Sequence, residues 1–282
     1  MRKQLFFLVT ILTVCNSLLQ IRDNPELCAD VNLLKTLHPP GPKTALASLP
    51  GSGNTWVRHL LQLVTGIFTG AQYKGEENAK SFPGGFLTNG SALVIKDHFL
   101  DPNTIQEYDK VVLLIRHPIH QLIAYADWIS RDTHHDTHLP LKYYQLVLDG
   151  LLSRHIYAWK EWHENILKHF TAPNICVLNY DRLKQNVMEE LDKCARFLGF
   201  DVDFPSLQNC VAHHQKGSHR RKPRSIGETE MILSFVSRKN RRNSQKVYDE
   251  IVQILAKNSY QSDKCFELSS YHFEENKLFY WL

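Results

Sequence analysis

The heptad Pro50-Gly51-Ser52-Gly53-Asn54-Thr55-Trp56 constrains this chain more than any other stretch. It follows a short apolar run at residues 44–49. It precedes residues 55–65, where Trp56, Leu60, Leu61 and Val64 recur at helical spacing. The pattern predicts a buried strand, a tight glycine turn and a helix. In such a unit, backbone amides and a helix N-terminus converge on an anion. Gly51 and Gly53 permit the turn and a close approach of backbone to ligand, while Ser52, Asn54 and Thr55 offer side-chain donors. Taken alone, the heptad also reads as an ordinary strand-to-helix turn capped by Asn or Ser. A nucleoside-triphosphate loop of the form GxxxxGKS or GxxxxGKT needs a lysine before the hydroxyl residue, and Asn54 occupies that place.

Further apolar runs at residues 92–95, 111–115 and 175–178 predict buried strands, separated by amphipathic stretches at 120–130, 143–169 and 188–197. This alternation predicts an α/β, three-layer P-loop-type fold with a central, mainly parallel sheet flanked by helices. A length of 282 residues suits one such domain, set here at 44–282. Residues 1–22 carry Arg2 and Lys3 ahead of an apolar run and read as a signal peptide or signal-anchor, which directs the rest of the chain to a lumen. Residues 23–43, ending in Pro39-Pro40-Gly41-Pro42, read as a stem or linker.

An oxidising lumen makes disulfides an expectation for Cys28, Cys176, Cys194, Cys210 and Cys265. The preferred pairs are Cys194–Cys210 and Cys28–Cys265, with Cys176 a buried free thiol in its apolar run. No cysteine spacing matches a zinc site. Asn89-Gly90-Ser91 is a glycosylation sequon. The net charge of +4 is concentrated around Arg220, Arg221, Lys222 and Arg224 and around Arg238, Lys239, Arg241 and Arg242. Such patches suit an anionic partner or are solvated faces. The secretory N-terminus argues against nucleic acid.

The heptad resembles the 5′-phosphosulfate loop PKSGTTW of the sulfotransferases that use 3′-phosphoadenosine 5′-phosphosulfate. Its extension PGSGNTWVRHLL is similar to the WSC-domain-containing members of that superfamily, although no WSC module is present. The resemblance continues in order along the chain. Val94-Ile95-Lys96-Asp97-His98 resembles the K-T-H element, which implies His98 as the catalytic base and Lys96 as the cation beside the transferring group. Arg116-His117-Pro118 resembles the 3′-phosphate element R-N-P or R-D-P, which implies that Arg116 binds phosphate. Tyr180-Asp181-Arg182-Leu183-Lys184 resembles Y-E-D-L-K, which implies that Tyr180 lies near adenine while Trp56 packs on the base. The stretch His214 to Lys222 resembles the basic loop that closes over the 3′-phosphate, with Lys216, Gly217, Arg220 and Arg221 the implied contacts. The chain departs from the family at Gly51, where many members have a lysine, and at Ala124, where many have a serine.

The resemblance implies metal-independent sulfate transfer, in the Golgi lumen, from 3′-phosphoadenosine 5′-phosphosulfate to a hydroxyl of a glycan or glycoprotein, with sialylated glycans a further hint. The N-terminal segment would tie the protein to the membrane if uncleaved. Two rival readings are a lumenal nucleotide kinase and a degenerate fold that binds anionic glycans without catalysis. Trp128, His134, His135, His138 and the stretch Trp159 to His163 either line an acceptor cleft or pack as amphipathic core.

Overall fold

The structure, a computed structural model, describes residues 33–73, 82–129, 138–215 and 224–258. The predicted signal segment, Cys28 and Cys265, His134 and His135, and the loop residues Lys216, Gly217, Arg220 and Arg221 lie outside the described residues. Five strands form one sheet: β1 (Thr44–Ala47), β2 (Gly70–Ala71), β3 (Ile95–Asp97), β4 (Lys110–Ile115) and β5 (Ile175–Asn179), in the order β2-β3-β1-β4-β5. Every pairing is parallel. Ala45 pairs with Ile95 on one side and Val111 on the other, and Val111 pairs in turn with Ile175.

Because side chains alternate across a strand, the sheet feeds two cores. Ala45, Ala47, Val111, Leu113, Ile115, Ile175 and Val177 face one side. Leu46, Val112, Leu114, Cys176 and Leu178 face the other. Helix α1 (Asn54–Thr65) covers the second face through Trp56, Val57, Leu60 and Leu61, joined by α5 (Val187–Phe197) and α6 (Phe204–Gln215). Helices α2 (Pro118–Ile129), α3 (Leu141–His169) and α8 (Arg238–Asn258) cover the first, with Trp159 and Ile156 of α3 fully buried. The remaining helices are the short α4 (Tyr180–Gln185) and α7 (Ile226–Ser234). Near-continuous apolar strands are therefore the consequence of two covered faces. Among the described residues, no helix is long and apolar enough to cross a membrane.

Three details differ from the sequence reading. Residues 33–43 pack on the domain: Lys35 bridges Ile67, and the Leu37 and Gly41 amides donate to the Ser91 and Gly90 carbonyls. The third strand begins at Ile95 and runs into polar Lys96 and Asp97, while residues 92–94 are buried ahead of it. The cysteine expectation is corrected as well. Cys176 and Cys210 are each disulfide-bonded, whereas Cys194 is the buried free thiol, its pKa pushed up to about 12 by burial. Sequence spacing misassigned them because Cys194 faces inward from α5, in the same core as Cys176 and Cys210.

Candidate functional site

In a parallel sheet, ligands bind beyond the carboxyl ends of the strands, where connections diverge to either side of a central strand. Here β1 is central, and its successor strands lie on opposite sides of it. Several candidate residues follow strand ends: the glycine loop follows β1, His98 follows β3, Arg116 follows β4 and Tyr180 follows β5, while Lys96 lies within β3. The fold thus gathers elements that are far apart in sequence.

Gly51 and Gly53 have φ of +90° and +100°, a left-handed region that disfavours side chains. A Cβ on Gly51 would lie 2.5 Å from the Gln121 carbonyl oxygen and 2.7 Å from the Tyr125 amide nitrogen. One on Gly53 would lie 2.6 Å from the Tyr180 ring. The loop is therefore glycine-rich because it is pressed against α2 and Tyr180. The family lysine has no room at position 51. The Gln121 side-chain amide donates to the Pro50 carbonyl, and Ser52, itself buried, donates its backbone N–H to the Leu49 carbonyl at 3.2 Å. A backbone bond into α1 runs from Val57 N–H to the Gly53 carbonyl at 3.1 Å, and the amides of Asn54 and Thr55 lie in the first turn ahead of it. No acidic residue stands in that turn, which leaves the positive end of the helix dipole uncompensated from within α1.

The side chain of Asn54 does not face outward as a donor. Its amide donates inward, to the Leu46 carbonyl and to Ser48 Oγ, both at 3.0 Å, and so ties α1 to the end of β1. Only Thr55 among the loop donors is exposed. Trp56 and Tyr180 meet edge to face, with ring centroids 5.8 Å apart, and are 2% and 9% exposed, so they pack on each other as part of the core.

Arg116 sits below this loop. Its Nη1 donates to the Gly51 carbonyl at 2.9 Å, and its guanidinium carbon lies 4.2 Å from the centre of the Tyr180 ring. The Trp159 indole donates to its carbonyl at 3.2 Å. Arg116 Nε is buried with no hydrogen-bond partner among the described residues. Nearby Asp181 has its pKa raised by burial, a rise that Arg116 and Lys184 oppose.

On the other side of β1, His98 Nδ1 lies 2.6 Å from the Ser48 carbonyl oxygen. A carbonyl only accepts, so Nδ1 carries a proton. The half-buried imidazole is thereby fixed to the chain segment that leads into the glycine loop. Lys96 is half-buried, with Nζ 5.6 Å from the centre of the Tyr73 ring. The sequence reading missed the residues around this pair. Asp97, 4% exposed, accepts from the Tyr73 hydroxyl at 3.2 Å, the Tyr108 hydroxyl at 3.0 Å and the Phe99 amide at 2.9 Å. Asp97 between Lys96 and His98 was the available signal.

The surroundings decide one open reading and correct another. Trp159 and His163 are 0% and 1% exposed, and His163 Nδ1 donates to the Trp159 carbonyl at 2.7 Å, so this pair belongs to the core and not to a cleft. Arg224 belongs to no solvated basic face. It pairs with buried Asp127 at 2.7 Å, and Asp127 also accepts from the Tyr144 hydroxyl and the Leu139 amide. Burial alone would raise the Asp127 pKa. The Leu139, Tyr144 and Arg224 donors outweigh that and hold it below the usual carboxylate value. The flanks of the basic stretch are thus fixed on α6, where His214 lies against His59 of α1 at 5.3 Å, and on the end of α2. Exposed Trp128 stacks on Tyr125, and His138 lies 3.1 Å from Asp127.

WSCD family members of Aedes aegypti and Drosophila melanogaster are 35% and 34% identical to the chain over 192 residues. Each alignment covers 65% of this chain and 58% of the relative, so the chain spans less than two thirds of those proteins. Mouse sulfotransferase SULT7A1 complexed with PAP superposes with a TM-score of 0.44 at 16% identity, covering 86% of this chain and 92% of that one. Residues 89–267 match the sulfotransferase domain, a span of more than half the chain that includes His98, Arg116 and Tyr180 but begins after the glycine loop. On that match, the chain belongs to the sulfotransferase domain family.

Proposed function

We propose that this chain transfers a sulfuryl group from 3′-phosphoadenosine 5′-phosphosulfate to a hydroxyl of a glycan, a sialylated glycan being the first acceptor to try, in the Golgi lumen. Family membership and the similarity to WSCD proteins support the reaction class. The observation that carries the reading is the Nδ1 contact of His98 with the Ser48 carbonyl, which anchors the imidazole to the chain segment that leads into the glycine loop.

The residues present fit a nucleotide with separated phosphate groups. The amides of Asn54 and Thr55 suit the 5′ side, and the buried Arg116 Nε, without a hydrogen-bond partner among the described residues, suits a second anion. When bound, the donor supplies a sulfuryl group on a phosphate leaving group. His98 Nε2 takes the acceptor hydroxyl proton as the oxygen attacks sulfur, and the Ser48 carbonyl stabilises the resulting imidazolium through its Nδ1–H. Lys96 and the first-turn amides of α1 stabilise negative charge on the sulfuryl and departing phosphate oxygens. With no lysine possible at position 51, that stabilisation falls on Lys96 and the backbone.

The test is transfer of radiolabelled sulfate from the donor to an array of glycans and peptides. Labelled glycans are expected. Label on peptides alone would contradict the acceptor class, and label nowhere would contradict the reaction.

A further inference from the structure

Tyr73 follows β2 closely and touches each of the four residues from Lys96 to Phe99. Its ring stacks on the His98 imidazole, with centroids 5.7 Å apart and planes at 20°. It meets Phe99 edge-on at 5.8 Å, and Lys96 Nζ lies 5.6 Å from its centre. Its hydroxyl donates to Asp97 Oδ1 at 3.2 Å and accepts the backbone N–H of His98. A phenol has one proton to donate and lone pairs to accept with, so this arrangement uses its capacity in both directions.

We infer that Tyr73 is a positioning residue, which sets the orientation of the His98 imidazole by holding its ring face, its backbone N–H and the neighbouring Asp97 carboxylate together. This rests on His98 being the base of the proposed reaction. The ring nitrogen contact with Ser48 fixes one edge of the imidazole, and Tyr73 fixes its plane and the backbone that carries it. Asp97 completes the arrangement from the inside, since Tyr108 holds its second oxygen at 3.0 Å and Gln72 in turn donates to the Tyr108 hydroxyl at 2.9 Å. Burial raises the pKa of both phenols, which keeps them protonated donors to the carboxylate. Phe99, 70% exposed beside the imidazole, is held by the same ring.

The experiment compares Tyr73→Phe and Tyr108→Phe with wild type. Small displacements of a catalytic group cost roughly ten- to a hundredfold in rate. Tyr73→Phe is therefore expected to lower kcat by about tenfold while acceptor KM and the affinity for 3′-phosphoadenosine 5′-phosphate stay unchanged. Tyr108→Phe, whose hydroxyl reaches Asp97 but not His98, is expected to lose less. A second readout needs no turnover: nitrogen-15 NMR of the His98 ring in the protein without donor. Wild type should show the Nδ1-protonated tautomer, and Tyr73→Phe a mixture of tautomers. Wild-type kcat together with an unchanged ring spectrum in Tyr73→Phe would overturn the inference. A shifted spectrum in a protein whose wild type transfers no sulfate would uphold the positioning and sink the proposed reaction.

Discussion

Acidification from pH 7 to pH 5 should destabilise this protein by several kcal/mol, because its interior holds histidines that cannot take up protons while folded. His117 and His163 are 2% and 1% exposed. Burial lowers the pKa of each to about 3, against opposing hydrogen bonds to Gln245 and to the Trp159 carbonyl respectively. The unfolded chain binds a proton at each near pH 6.5. A base whose folded pKa is depressed contributes stability that is complete above about pH 6.5 and lost as pH falls toward its folded value near 3. Between pH 7 and pH 5 the unfolded state gains about 2 kcal/mol per histidine, so the two together cost about 4 kcal/mol. His155, lowered to about 4 by burial, and His120, lowered well below its usual value by burial and then by His117 and Arg116, act in the same direction. Total stabilities of domains run to about 5–15 kcal/mol, so the effect is a large share. Urea unfolding at pH 7, 6 and 5 measures it, and His163→Gln should reduce the slope by nearly one proton. A slope shallower than one proton, about 1.4 kcal/mol per pH unit, between pH 6 and 5 would refute the reasoning.

Two further outcomes follow from the geometry. Gly51→Lys, which restores the residue common in the family, should destabilise the protein and abolish donor binding, because its Cβ would sit 2.5 Å from the Gln121 carbonyl at φ +90°; calorimetry and equilibrium binding check this. Arg224→Ala strands the buried Asp127 carboxylate and should cost about 3–5 kcal/mol, toward the low end since Tyr144 and Leu139 still donate to it; denaturant unfolding measures the loss.

The layered α/β architecture was legible because covered parallel strands are short apolar runs, as residues 111–115 and 175–178 are. β2 was invisible: Gly70–Ala71 is too short to carry a pattern. Of the candidate site, the sequence shows the chemistry-bearing residues that follow strand ends, Gly51, His98 and Arg116, and the fold sets those strands side by side. Its supports were not legible. Tyr73 and Tyr108 reach Asp97 from 24 and 11 residues away, and nothing local marks either as its partner. The direction of the Asn54 side chain was not legible, because polarity in a loop does not reveal it, and here the side-chain amide satisfies buried groups at the end of β1. Trp159 and His163 stayed ambiguous for a related reason: they lie four residues apart on one helix face, a spacing that suits packing as readily as a cleft, and the structure buries both.

The central claim is that His98 is the base in sulfate transfer, and its most direct test pairs His98→Ala turnover with donor-site binding. General-base catalysis contributes about a hundred- to ten-thousandfold, so the variant should lose transfer of labelled sulfate by at least about a hundredfold. Its affinity for 3′-phosphoadenosine 5′-phosphate should match wild type, because the proposed anion contacts come from the first turn of α1 and from Arg116. Wild-type turnover by His98→Ala would contradict the account.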